Sequence, residues 1–288
     1  MQKNAEMREK LRQIIRKAGI WAVLLLLFAS MVYGANNRIE VTEYTYETSS
    51  APFSFNGFRI VQISDVHNKI FGDQNEPLLD AVRALEPDII VITGDLIDAS
   101  THTDVDAALL LAEQLPKLAP TYYVFGNHEH LLDKSVTEPF LEQIKAYGVR
   151  FLNNETVQIS SATGQTFSLI GMDDYSLQAN ILKTIVAEAP DDFCVMLAHE
   201  PHFLHDYYAE SGVDLVLSGH AHGGQFRIPF THIGLFTPDE GFFPKYTEGI
   251  HTDADTTMII SRGLGNSAFP FRLFNHPEVV GITLNVTD

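Results

Sequence analysis

The chain has 288 residues, 45% of them hydrophobic, with 37 acidic against 19 basic residues and a formal net charge of -18. That hydrophobic share excludes wholesale disorder, and the negative balance repels phosphate backbones, so nucleic-acid binding is set aside as a primary role. Cys194 is the only cysteine, which excludes an intrachain disulfide framework and a thiolate zinc cluster and leaves His, Asp, Glu and Asn as metal donors. Cys194 itself sits in the apolar run 193–197 and reads as a packed core thiol. The acidic balance has two readings, solubility or carboxylates neutralised by bound cations.

In chain order, a basic tail over 1–17 (Lys3, Arg8, Lys10, Arg12, Arg16, Lys17) precedes an apolar segment over 18–35. That segment holds about 18 residues without a charge, near the lower end of the roughly 17 to 25 that a spanning helix needs. It reads as a retained transmembrane anchor; a cleaved signal peptide, with secretion of the rest, is the alternative. Six basic residues before it and only Arg38 soon after place the N-terminus in the cytoplasm and the remainder outside. Removing residues 1–35, with six basic and two acidic residues, leaves 13 basic and 35 acidic, so the exported part carries -22. Residues 36–50 suit a short linker or a first strand over 38–46, and 51–288 form the folded domain.

From Pro52 onward apolar strands alternate with amphipathic helices. The runs 58–63 and 88–92 read as buried strands, with a helix over 77–86 between them. A helix over 103–118, a strand over 121–125 and a helix over 136–147 follow, then short strands around Phe151, Val157 and Phe167. Further strands at 193–197 and 213–217 repeat the theme. The pattern implies a β-sandwich of mixed sheets flanked by helices, with loops at the strand ends carrying the chemistry.

Those strand ends supply, in order, Asp65 and His67, Asp95, Asn127 with His128, His199, and His220 with His222. All are oxygen or imidazole donors that suit Mn²⁺, Zn²⁺ or Fe. Taken singly each piece is weak, since Asp-x-His after a strand is commonly a capped turn. Together, five complementary blocks at successive strand ends point to a metal centre.

These blocks resemble the signatures of the calcineurin-like metallophosphoesterases, D-x-H, G-D-x-x-D, G-N-H-[ED], H and G-H-x-H, over roughly 59–222. Segments 243–249, 261–265 and 277–279 also resemble the superfamily's bacterial membrane-anchored branch. The resemblance implies an α/β fold, a four-layer α-β-β-α sandwich of two mixed sheets flanked by helices, here preceded by one N-terminal transmembrane helix. It implies two divalent metal ions (Mn²⁺, Zn²⁺ or Fe), one held by Asp65, His67 and His222, the other by Asn127, His199 and His220, with Asp95 bridging. Two such ions about 3.5–4 Å apart can hold a hydroxide and clamp phosphoryl oxygens for in-line displacement. His128 and Asp98 are implied as catalytic, the imidazole serving the leaving oxygen and the carboxylate orienting it. Asp98 also suits a turn cap. His102, His130, His202, His205, His232, His251 and His276 match no motif position, and of these His130 is best placed to line the cleft.

The expected activity is hydrolysis of a phosphoester or pyrophosphate on an envelope or lipid-linked substrate, with no obligate protein partner. A general phosphodiesterase on soluble substrates and a non-catalytic metal-binding envelope protein are the alternatives. Asp98 is followed by Ala99 and Ser100, not Arg-Gly, which counts against a protein phosphatase. Arg262 and Arg272 suit either cationic help at the site or structural ion pairs. The aromatic-rich stretch 226–243 suits either core packing or an apolar rim that admits a lipid tail.

Overall fold

A computed structural model describes residues 2–99, 103–177, 179–237, 240–267 and 269–287, so His102 lies outside the described residues. Helix α1 (Gln2–Asn37) runs unbroken for about 54 Å at 1.5 Å per residue. Its stretch Met7–Asn37 is long and apolar enough to cross a membrane and is 6% buried. Trp21 and Leu24 to Leu27 all point away from protein, and an apolar helix exposed on every side has no stable place in water. Only Arg38 and Ile39 separate α1 from strand β1 (Glu40–Thr48).

The last turn of α1 is fastened to the domain. The Asn36 side chain donates to the carbonyls of Val32 (2.6 Å) and Arg272 (3.2 Å) and accepts from the Arg272 N–H (2.9 Å) and from Asn266 (3.2 Å). Lys69 donates to the Asn36 carbonyl, placing a cation at the helix C-terminus where the helix dipole favours one. The Asn36 carbonyl, one of those a helix leaves free at its end, thus finds its partner in the folded domain.

The first half of the domain contributes β2 (Arg59–Ile63), α2 (Glu76–Ala84), β3 (Ile89–Thr93), α3 (Val105–Gln114), β4 (Thr121–Val124), α4 (Asn127–Leu131), α5 (Lys134–Tyr147) and β5 (Val149–Phe151). The second half contributes β6 (Glu155–Ser160), β7 (Thr166–Gly171), α6 (Ala179–Ala187), β8 (Cys194–Leu197), β9 (Leu215–Ser218), the two-residue strands β10 (Phe236–Thr237) and β11 (Gly241–Phe242), β12 (Gly249–Asp253), β13 (Thr256–Ile260) and β14 (Glu278–Val286). Local chemistry sets the helix boundaries. Asp104 caps α3 through the Ala107 N–H, Asp133 caps α5 through the Ser135 N–H, and Gly148 ends α5 at φ 101°.

Two six-stranded sheets result, ordered β1-β14-β2-β3-β4-β5 and β12-β13-β9-β8-β7-β6. In the first, β2 to β5 run parallel and β14 lies antiparallel to β2 while pairing in parallel with β1. In the second, β13, β9, β8 and β7 run parallel between antiparallel edges β12 and β6. Alternation along the strands creates three apolar layers. Ile60, Val91, Val124 and Ile282 meet Leu169, Val195, Leu217 and Ile259 between the sheets. Val61, Ile90 and Ile92 pack outward on Leu78, Leu111 and Phe140, while Met196, Val216 and Met258 pack outward on Leu182, Leu204 and Tyr208. Each fully buried aliphatic side chain contributes about 1.5–3 kcal/mol. This is the four-layer α-β-β-α sandwich the sequence led us to expect.

The pairings of β2, β3 and β4 in one sheet and of β8 and β9 in the other bring the ends of five parallel strands to one edge of the sandwich. Gln62 ties the two sheets there, donating to Thr93 Oγ1 (3.0 Å) and to the Ser218 carbonyl (2.8 Å). Crevices at the carboxyl ends of parallel strands are the usual ligand sites of α/β folds.

Candidate metal centre

The five strand ends converge. Asp65 and His67 follow β2, Asp95 follows β3, Asn127 opens α4 after β4, His199 follows β8, and His220 and His222 follow β9. The ligand atoms of Asp65, His67, Asp95 and His222 lie within 4.8 Å of one another, as do those of Asp95, His199 and His220. Asp95 belongs to both groups. The Asn127 carbonyl oxygen joins the second, 3.0 Å from His199 Nε2 and 2.9 Å from His220 Nδ1. The seven residues expected as ligands thus lie together in two adjoining groups that share Asp95.

Potential ligand atoms face one another across this cluster. His67 Nε2 is 3.0 Å from His222 Nε2, and His199 Nε2 is 3.2 Å from His220 Nδ1. The Asp95 Oδ2 atom lies 3.5 Å from His67 Nε2 and 3.3 Å from His199 Nε2, and Asp65 Oδ1 lies 3.4 Å from His222 Nε2. Ligands bound at about 2.0–2.2 Å to one cation stand about 3.0–3.5 Å apart. The donor set, hard oxygen and borderline nitrogen, fits divalent cations.

Surrounding hydrogen bonds aim these donors. His199 Nδ1 donates to the Thr93 carbonyl at 2.7 Å, which fixes the tautomer and leaves the Nε2 lone pair toward Asp95 and Asn127. Asp65 accepts the His220 N–H at 2.9 and 3.0 Å, and Asp95 Oδ1 accepts the His128 N–H at 2.9 Å. Each carboxylate thereby locks the next ligand loop. Burial pushes Asp95 up, but His199 and His67 together hold it well below the ordinary carboxylate value. Burial pushes His199 down, and Asp95 and Asp65 outweigh it.

Five of the seven carry a left-handed backbone: Asp65 (φ 50°), His67 (48°), Asp95 (52°), His220 (67°) and His222 (48°). Such residues cost about 1–3 kcal/mol each and persist where surrounding structure over-determines them. Glycine makes the loops possible by its size at Gly219, where a Cβ would stand 1.9 Å from Ser64 Oγ and 2.4 Å from Asp65 Oδ2.

His128 and Asp98 lie at the rim, with His128 Nδ1 2.9 Å from Asp98 Oδ1. The Ala99 N–H also points at Nδ1 from 3.0 Å, and one nitrogen cannot satisfy both. In the neutral ring Nδ1 accepts the Ala99 N–H; in the protonated ring Nδ1–H faces the Asp98 carboxylate as a charge-assisted contact. Burial lowers the His128 pKa, and His67 and His199 push the same way against Asp95 and Asp98.

Two further carboxylates escaped the sequence reading. Glu129, buried on α4, accepts the N–H groups of Asp95 (3.0 Å), Ile97 (2.9 Å) and Gly126 (2.9 Å). Asp174 accepts those of His199 (2.6 Å) and Glu200 (2.8 Å) and the Tyr208 hydroxyl (3.0 Å). Glu129 stood inside the quoted block, and only its acidity two residues after the expected ligand Asn127 signalled a role. Asp174 had no signal.

Arg262 and Arg272 are buried and serve structure. Arg262 pairs with Glu278 (2.7 Å) and Glu40 (3.1 Å). Arg272 donates to the carbonyls of Gly265 (3.0 Å) and Arg262 (2.8 Å) and lies 3.2 Å from His222 Nδ1. Other histidines have partners away from the cluster: His205 with Asp253 (2.7 Å), His232 with Glu248 (2.8 Å) and His251 with the Glu248 carbonyl (2.9 Å). His130 pairs with Asp173 at 2.8 Å and stacks on Tyr175 at 4.3 Å.

Comparison with known proteins is consistent with this geometry. A family model described as calcineurin-like phosphoesterase matches residues 58–224. The chain is 32% identical to the uncharacterized metallophosphoesterase YkuE of Bacillus subtilis, over 88% of this chain and 87% of that one. It is 28% identical to a transmembrane protein with metallophosphoesterase domain from Danio rerio, over 91% of this chain and 62% of that one. Among solved structures, a 5'-nucleotidase from Candida albicans superposes with a TM-score of 0.44 at 12% identity, over 73% of this chain and 46% of that one.

Proposed function

The chain belongs to the calcineurin-like phosphoesterase family, and on that premise we propose that it hydrolyses phosphoester or pyrophosphate bonds with two divalent metal ions, on a lipid-linked or envelope substrate. The observation that carries the two-ion reading is Asp95, a carboxylate whose atoms face both donor groups. Asp65, His67 and His222 would hold one ion and Asn127, His199 and His220 the other, with Mn²⁺, Zn²⁺ or Fe suited to these donors. Bound there, the ions supply Lewis acidity toward phosphoryl oxygens and ionise water near neutral pH.

The chain's own residues do the rest. Asn127 adds a neutral carbonyl, so its group carries less negative charge than the one containing Asp65. In its protonated form His128 would keep Nδ1–H beside Asp98 and give its Nε2 proton to the leaving oxygen as the bond to phosphorus breaks, returning to the neutral ring. The basic tail before α1 favours an N-terminus inside the cell and a catalytic domain outside, anchored over 18–35, with 51–288 as the catalytic unit. The clasp at Asn36 supports a membrane-borne substrate. Arg272 binds Asn36 through its backbone and touches His222 through its guanidinium, so one residue links the anchor to the centre.

The test is leaving-group dependence. With Mn²⁺ added, His128→Ala is expected to slow hydrolysis of phenyl and alkyl phosphodiesters by about 10²–10⁴-fold and nitrophenyl esters much less, because a good leaving group needs no proton. Asp98→Asn should follow the same pattern at smaller size. Equal losses across leaving groups would remove His128 as the acid, and metal retention without hydrolysis of any ester by the wild type would favour a binding protein instead.

A further inference from the structure

We propose that the loop carrying Phe230, Phe242 and Phe243, with Phe274 beside it, is a membrane-docking collar that seats the domain on the lipid bilayer next to α1. The proposal rests on α1 spanning the membrane and is independent of catalysis.

Four large apolar side chains are bare here: Phe230 is 108% exposed, Phe242 78%, Phe243 66% and Phe274 50%. Ile228 and Ile233 are exposed between them. Contiguous exposed apolar surface marks a binding face, and the aromatic residues resting beneath it explain how it is held out. Phe236 packs on Phe242 at 5.5 Å and on Phe269 at 6.2 Å, and Phe226 packs on Phe269 at 5.0 Å and on Phe271 at 5.4 Å. The half-buried rings beneath are a scaffold, and the outer ones stand exposed above them.

A second observation concerns the backbone. Phe230 (φ 64°), Phe243 (58°) and Phe274 (53°) are all in the left-handed region, an outlier for a bulky residue. Glycine or asparagine would sit there without that strain. Three exposed phenylalanines in an unfavourable conformation imply that their side chains are retained for what they touch outside the protein.

The occupant follows from continuity with the anchor. Arg227 N–H donates to the Leu273 carbonyl at 3.1 Å, and Arg272, next in the chain, is bonded to Asn36 in the last turn of α1. The collar and the end of the membrane helix therefore belong to one hydrogen-bonded unit, with no tether between helix and domain to let them part. Where α1 leaves the bilayer, the aromatic loop beside it meets the headgroup region, in the manner of other apolar side chains that bury about 5–10 Å into that boundary. The exported part carries 35 acidic and 13 basic residues beyond position 35, so attraction to anionic lipid is not the force at work; apolar contact is.

The full chain in nanodiscs tests this. Single cysteines replace Phe230, Phe242 or, as the control, Phe53, and each carries an environment-sensitive fluorophore; Cys194 is buried and does not react. Phe53 is exposed and follows the nine-residue strand β1 that leads away from the anchor. Labels at 230 and 242 are expected to be quenched about threefold more strongly by shallow spin-labelled lipid than the label at 53, as burial at that depth requires. Equal quenching at all three sites overturns the collar while leaving the anchor intact. A chain that fails to stay in nanodiscs overturns the anchor reading and the collar with it.

Discussion

Asp95→Asn is expected to lower kcat/KM for any phosphoester by at least about 10³-fold, because it removes the one charged group shared by both donor groups and the electrostatic stabilisation that depends on them. The variant should still fold. Its amide oxygen can accept the His128 N–H as Asp95 Oδ1 does now at 2.9 Å. On the other side the neutral amide faces His67 and His199, which in the wild type pair with the Asp95 carboxylate. The metal-free variant is therefore expected to be less stable than the metal-free wild type, since it loses a carboxylate that His199 and His67 hold well below its ordinary value. What disappears is the gain on metal addition. A cation at 100 times its Kd stabilises the wild type by about 2.7 kcal/mol, about 5–10 °C in Tm for a domain of this size, and Asp95→Asn should lose most of that shift. Thermal melts with and without Mn²⁺, run beside the activity assay, check both halves. A variant that keeps the metal-dependent shift would show that Asp95 is not shared.

The second large effect is on stability. Glu129→Gln keeps the shape of a buried side chain that accepts three backbone N–H groups. An amide has one oxygen. In its best orientation that oxygen replaces Oε2, accepting from Asp95 and Gly126, and the NH₂ then faces the Ile97 N–H. At least one buried donor loses its acceptor and meets another donor, at a cost of about 2–3 kcal/mol, or about 4–12 °C in Tm. Because Glu129 fastens the Asp95 turn to the start of α4, metal affinity should fall as well, by the 10–100-fold typical of groups that orient ligands. An unchanged Tm would mean that the three N–H groups find other partners.

Much of the centre was legible because the sequence alternates. Apolar runs such as 58–63 and 88–92 read as buried strands, and placing Asp65, His67 and Asp95 just past them brings those residues to a common edge. The helices α2, α3 and α5 announced themselves through apolar spacing, and the capping residues Asp104 and Asp133 confirm where two of them begin. Helix α6 and the C-terminal strands β12 to β14 were not read as elements. Strand β14 owes its place between β1 and β2 to pairing across more than two hundred residues, and local pattern carries no record of such partners.

The carboxylates that steady the loops were missed for a related reason. Asp174 meets the His199 N–H from 25 positions away, and nothing near it in the chain marks the encounter. Backbone conformation was hidden too. Left-handed φ at Asp65, His67, Asp95, His220 and His222 is uncommon for any residue but glycine, although Asp and His adopt it more than most, so propensity alone does not reveal it. The aromatic stretch 226–243 had two readings, and the structure divides it: Phe226 and Phe236 are half-buried against other rings, whereas Phe230, Phe242 and Phe243 stand outside.

The most direct test of the two-ion hydrolase is a metal titration of chelator-stripped full-length protein, with bound metal counted by mass spectrometry while hydrolysis of bis(p-nitrophenyl) phosphate is followed. The account predicts two equivalents bound, turnover that rises as they bind, and neither full loading nor turnover in Asp95→Asn. Turnover that persists in the stripped protein, or full activity at one equivalent, would contradict it.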